Sequence, residues 1–85
     1  MNNTIIRKFT VSAAYQSLSA KSREVASVEL STPPTNTAVV YFQGDDGSDV
    51  PWVPGEYHSF KRINLSAIKV KGAPGDLVTI IGGTW

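Results

Sequence analysis

His58 is the only histidine in the chain, and no cysteine accompanies it. It is therefore the one side chain whose ordinary pKa would let it act as a base near neutral pH. A hydroxyl nucleophile needs such a base within hydrogen-bond reach. Ser59 follows directly, but consecutive strand residues point to opposite faces, so the two cannot form a dyad there. No Gly-x-Ser-x-Gly elbow occurs either. His58 reads as a surface or interface residue, and no residue is assigned to catalysis.

Metal chemistry is equally poorly supplied. A site needs several His, Cys or carboxylate ligands converging, and Pro54-Gly55-Glu56-Tyr57-His58 offers one Glu and one His. That segment resembles metal-binding cupins, but those require a paired His-x-His that this sequence lacks. The resemblance therefore leaves the barrel-like fold and removes the chemistry. Asp45, Gly47 and Asp49 alternate as calcium ligands might be spaced, yet no glutamate follows at the EF-hand distance, and a solvated turn is the better reading. Gly72-Ala73-Pro74-Gly75-Asp76 is too short for a phosphate loop and lacks its lysine. The sequons Asn2-Asn3-Thr4 and Asn64-Leu65-Ser66 mean little without a secretory signal. No cofactor and no metal are expected.

What remains is contact chemistry. Asp45, Asp46, Asp49 and Glu56 fall in one stretch, and Lys61, Arg62, Lys69 and Lys71 in the next. Ordinary surface mixing explains this, but so does a head-to-tail ring in which the acidic loops of one copy face the basic strands of its neighbour. Trp52 lies between two prolines, and Trp85 follows Gly82-Gly83-Thr84. Neither position reads as core. Tryptophan at such places is enriched among interface anchors, so Trp52 and Trp85, with Tyr57, are candidate anchors. The competing reading folds Trp52 back as a lid over its own sandwich.

The elements that would position these residues are strands. β-Branched and aromatic residues recur between clusters of Gly, Pro, Asp and Ser. The first strand runs about Thr4 to Ala13, with Ile5, Phe9 and Val11 at alternate positions and Arg7 marking a bulge or rim. Tyr15 to Leu18 is a short strand, and Ser19 to Ser22 a polar turn. The third strand, Arg23 to Ser31, turns Ala26, Val28 and Leu30 inward. A helix over Ala13 to Ala26 competes, but its serines contend with the helix backbone. Pro33 and Pro34 stop the third strand. Thr37 to Gln43 is apolar on both faces, so it is central or one face meets another chain.

Asp46-Gly47 suits a tight hairpin turn. Val50 to Val53 pairs back, and its prolines confine it to an edge. Tyr57 to Arg62 and Leu65 to Lys71 follow, the latter with Ile68 and Val70 inward and Lys69 and Lys71 outward. Pro74-Gly75 fits a type II turn. The last strand, Leu77 to Ile81, is apolar on both faces apart from Thr79. The sum is an all-β, single-domain antiparallel β-sandwich over residues 1–85, jelly-roll-like, with about eight short strands.

Length and charge limit the partners. A chain of 85 residues makes one domain with a stability of roughly 4–13 kcal/mol. Without disulfides, oligomerisation is the remaining staple. Eight basic against seven acidic side chains leave a net charge of +1, too balanced for affinity based on phosphate neutralisation, so nucleic acid is not an expected partner. No apolar run approaches the ~18 residues of a membrane span, so no membrane is expected. The N-terminal residues have their charges after an apolar pair and match no targeting signal, which predicts synthesis in the cytoplasm.

From Val28 onward the order of features resembles small phage virion proteins, found as head-decoration, minor capsid or fibre-base subunits. The features are Val28-Glu29-Leu30 running to Asn36, Val39-Val40-Tyr41-Phe42, a Gly/Asp turn, Pro54-Gly55-Glu56, Ile68-x-Val70-x-Gly72, a Pro-Gly-Asp turn, and Ile80-Ile81-Gly82-Gly83. These are turn and core signals, so no functional residue transfers. The resemblance implies a small β-sandwich in the virion that forms homo-oligomers, a trimer first, and binds a major capsid or other virion protein. The leading expectation is a capsid decoration or cement subunit. The alternatives are a tail or fibre attachment module, which could recognise a host glycan, and a cupin-like small-ligand protein with a pocket of His58, Tyr57 and Trp52.

Overall fold

The computed structural model describes residues 3–84. Trp85, one of the expected anchors, lies outside the described residues. The strands are β1 (Asn3–Thr10), β2 (Gln16–Ser17), β3 (Glu24–Ser31), β4 (Val40–Gln43), β5 (Val50–Trp52), β6 (Tyr57–Asn64), β7 (Lys69–Lys71) and β8 (Leu77–Thr84). They form two four-stranded antiparallel sheets, β1-β8-β3-β6 and β2-β7-β4-β5. β1 pairs β8, β2 pairs β7, β3 pairs β6 and β4 pairs β5, which are the successive rungs of one long ribbon closed by the β4–β5 hairpin. Folding that ribbon over brings β8 against β3 and β7 against β4. The result is the jelly-roll strand order, in agreement with the expected all-β sandwich.

Alternation along the strands builds the core. Ile5, Val28, Leu30, Val78 and Ile80 face inward from the first sheet, and Val40, Phe42, Trp52 and Val70 from the second. β4 is central, flanked by β5 and β7, and β5 is an edge, as the two-faced apolar pattern and the prolines predict. Arg7 keeps an unbroken ladder register opposite Ile80, so it marks a rim and not a bulge.

Three buried polar side chains tie the loops down. The Asp76 carboxylate accepts from the backbone N–H groups of Thr37 and Ala38 and from the Thr37 hydroxyl. Asn36 reads the Leu77 backbone as a strand would, donating to its carbonyl at 2.8 Å and accepting from its N–H at 2.9 Å. Thr32 donates to the Val53 carbonyl at 2.7 Å. Thr37 and Ala38 therefore belong to this clamp and not to β4, which begins at Val40.

The structure revises further boundaries and the face of one strand. β1 ends at Thr10, and Val11 instead bonds the carbonyl of Asp76 beyond the Pro74-Gly75 turn. That turn is closed by Asp76 N–H to Ala73 carbonyl at 3.0 Å, with Gly75 at φ 95°, as a type II turn requires. The expected strand from Leu65 opens instead with a 3-10 turn, Leu65–Ala67. Asn64 causes this: its Oδ1 accepts from the Ser66 N–H, the Ser66 hydroxyl and the Arg23 N–H.

Val25, not Ala26, is buried in β3. Opposite Ala26, Arg62 holds a left-handed φ of 54°, and the ladder skips that step, which turns both strands over. Last, β8 continues through Gly82 and Gly83 to Thr84, so these glycines are ladder residues.

Candidate functional site

His58 and Trp52 meet where the edge strands β5 and β6 close one side of the sandwich. His58 lies in register with the inward Leu30, while Ser59 pairs with Glu29 on the outer side, so the two point apart. The His58 Nε2 contacts Glu56 Oε2 at 2.6 Å, and the other Glu56 oxygen accepts the Val53 N–H at 3.0 Å. The bond with His58, then that from Val53, holds the Glu56 carboxyl below its ordinary pKa. Glu56 is thus a clasp that closes its own turn and orients the imidazole.

The His58 ring stands edge-on to Trp52 at 4.7 Å, and Trp52 stacks on Phe42 at 3.7 Å. Trp52 is only 5% exposed. The expectation that it is an interface anchor is therefore corrected: a flat indole at the mouth of the sandwich covers more apolar surface inward than it could offer outward. Tyr57 points away at 63% exposure. Of the three residues named for a cupin-like pocket, Trp52 and His58 pack against each other while Tyr57 stands exposed. Among the described residues, no group of three or more His, Cys, Asp or Glu side chains is placed to hold a metal ion.

The outer face of the second sheet gathers the charged candidates. Register places Lys71 beside Tyr41, with Nζ 4.8 Å from the Tyr15 ring centre and 5.8 Å from that of Tyr41. The Tyr15 hydroxyl donates to Asp49 at 2.5 Å, and Gln43 donates to Asp49 and to the Gly47 carbonyl. Asp46 accepts from the Ser48 N–H within its own turn. Asp49 and Lys71, two of the charges expected to meet a neighbouring copy, both contact Tyr15 within one molecule. Asp45 and Lys69 remain exposed.

The bond from Tyr15, then that from Gln43, holds the Asp49 carboxyl below its ordinary pKa. Partial burial, then the bond to Asp49, pushes Tyr15 up to about 12. Because this folded value exceeds the ordinary 10.0, the contact stabilises fully below pH 10 and is lost as pH rises through 12. Phenolate absorbance should show one of the three tyrosines ionising in that window, and Asp49→Asn should bring the step down. An unchanged step in the variant would contradict the contact.

The outer face of the first sheet carries a feature that the sequence reading passed over. Ile6 of β1 and Ile81 of β8 are direct cross-strand partners, 71% and 47% exposed. Thr4, Lys8, Thr79, Gly83 and Glu29 surround them by register. The signal was present in the doublets Ile5-Ile6 and Ile80-Ile81, because alternation must turn one member of each pair outward. A second apolar rim, Val50, Val53 and Tyr57, runs along β5 into β6, each residue about half exposed or more.

No protein family, no curated protein and no solved structure matches the chain.

Proposed function

We propose that the chain is a non-catalytic structural subunit of a phage virion, a capsid decoration or cement protein that assembles with copies of itself, a trimer first, and docks on a shell protein. The observation that carries this reading is the Ile6–Ile81 pair, an apolar patch on the outer face of a complete sheet. Such a pair serves no internal packing, and burying it is worth roughly 2–3 kcal/mol per copy. Association costs about 4–15 kcal/mol in lost freedom, so one copy of the pair is insufficient alone. The Val50, Val53 and Tyr57 rim adds to it, and repetition over a shell multiplies both.

The jelly roll is at home in viral capsids and also in lectins and cupins, so the fold supports the reading only by analogy. The order of turns from Val28 onward, which resembles small virion proteins, narrows it. In the tail or fibre alternative the same patches join an appendage. Sugar stacking on Tyr15 and Tyr41 is disfavoured, because the Lys71 ammonium already lies over both rings.

The test is the paired variant Ile6→Lys with Ile81→Lys. Both side chains point outward, so unfolding should shift by no more than about 1 kcal/mol. Light scattering should show wild-type oligomer and variant monomer. A variant that assembles like the wild type would overturn the role of this face.

A further inference from the structure

Arg7, Lys21 and Arg23, three of the eight basic side chains, surround one cleft. Arg7 comes from β1, at a position in register with the buried Ile80 and so on the inward side of the sheet's edge. Lys21 and Arg23 come from the segment between β2 and β3 that passes this edge. The cleft has a volume of about 420 Å³ and is completed by Ser19, Ala20 and Ser22. None of its lining side chains is acidic. Among the described residues the only ion pair is His58 with Glu56, so none of the three cations has a carboxylate partner.

The cleft is built on fixed backbone. The Arg23 N–H donates to Asn64 Oδ1 at 2.9 Å, and its carbonyl accepts the Leu65 N–H at 2.9 Å. Asn64 also donates to the Ser22 hydroxyl oxygen at 2.6 Å, which leaves the Ser22 proton free to donate elsewhere. Arg23 Nε is enclosed yet makes no hydrogen bond among the described residues. An enclosed donor without an acceptor is costly, and three like charges round one space repel. A charge-dense acceptor entering the cleft, reached through the outer nitrogens of the guanidinium groups, would relieve the repulsion.

We infer that this cleft binds a phosphate-class dianion, held by the Arg7 and Arg23 guanidinium groups, the Lys21 ammonium and the Ser22 hydroxyl. A single carboxylate would satisfy one arginine fork and leave the other cations uncompensated, whereas a tetrahedral dianion presents oxygens in several directions. This inference is independent of the virion reading.

The probe is inorganic phosphate, titrated against the labelled full chain at constant ionic strength and followed by amide NMR shifts, with chloride and acetate as parallel arms. Saturable shifts confined to Arg7 and Ser19–Arg23 are expected with phosphate alone. Arg7→Gln with Arg23→Gln should weaken binding about tenfold or more, since two charge-assisted contacts are lost. Lys21→Gln, at an exposed position, should weaken it less and keeps the test decisive if the double variant fails to fold. Lys8→Gln, on the opposite face of β1, should leave it unchanged. Non-saturating shifts, equal saturation by acetate, or undiminished binding in Lys21→Gln would each overturn the inference.

Discussion

Gly82→Ala should lower stability by about 3 kcal/mol, at the upper end of what overpacking costs, out of a total of roughly 4–13 kcal/mol for a chain of this size. A methyl group there would lie 2.8 Å from the Val28 Cα and 2.9 Å from its Cβ, and closer still to the Ser27 carbonyl oxygen. Two of these atoms are backbone and cannot rotate away. Relief would require β8 to move off β3, yet Gly82 and Val28 are ladder partners between Ile81 with Glu29 and Gly83 with Ser27. The strain therefore spreads into the register that also sets Ile80 and Val28 in the core. Urea unfolding checks this, with Gly44→Ala as control, because nothing lies within 4 Å of a methyl group at Gly44. Equal midpoints for the two variants would contradict the close approach.

Trp52→Ala should cost about 3–5 kcal/mol, the range for deleting a large buried aromatic. The indole is 5% exposed, stacked on Phe42 at 3.7 Å and capped by the His58 ring. Its removal would open the β5–β6 side of the sandwich and leave the His58–Glu56 clasp without its support. An interface tryptophan would behave oppositely, with association lost and the unfolding midpoint kept. Thermal unfolding beside light scattering separates the two, and a variant as stable as the wild type would contradict the core placement.

The contrast between these positions shows which parts of the molecule were legible in the residues. Turns were legible because their cause is local: Pro74-Gly75 closes where proline and glycine demand it, and Pro51 in β5, with Pro54 just beyond it, confines that strand to an edge. Strand faces were legible wherever alternation ran unbroken, as in Val28 and Leu30. Where a distant residue decided the outcome, the reading failed. Ala26 lost its inward place to Val25 because Arg62, on the paired strand, adopts a left-handed backbone. Leu65 left the expected strand because the Asn64 side chain captures Ser66 and Arg23. Trp52 reads as an edge residue locally, and only the fold sets Phe42 beneath it. Asp76 looked like a turn residue, but its partners Thr37 and Ala38 lie 39 and 38 residues away.

The contact surfaces divide in the same manner. Lys71 and Asp49 were read as charges for a neighbour, but a cross-sheet register that no local window contains sets them beside Tyr15. Ile6 and Ile81 were visible only as doublets, and it takes the β1–β8 pairing to make them one patch.

The central claim is that this sandwich works by being held, in many copies, on a larger particle. The measurement that tests it most directly is density at subunit resolution for the particle that the proposed function assigns to it. The account predicts ordered, repeated copies at junctions of the shell, with the Ile6–Ile81 face covered by a neighbour. Purified particles that lack the chain altogether would contradict it.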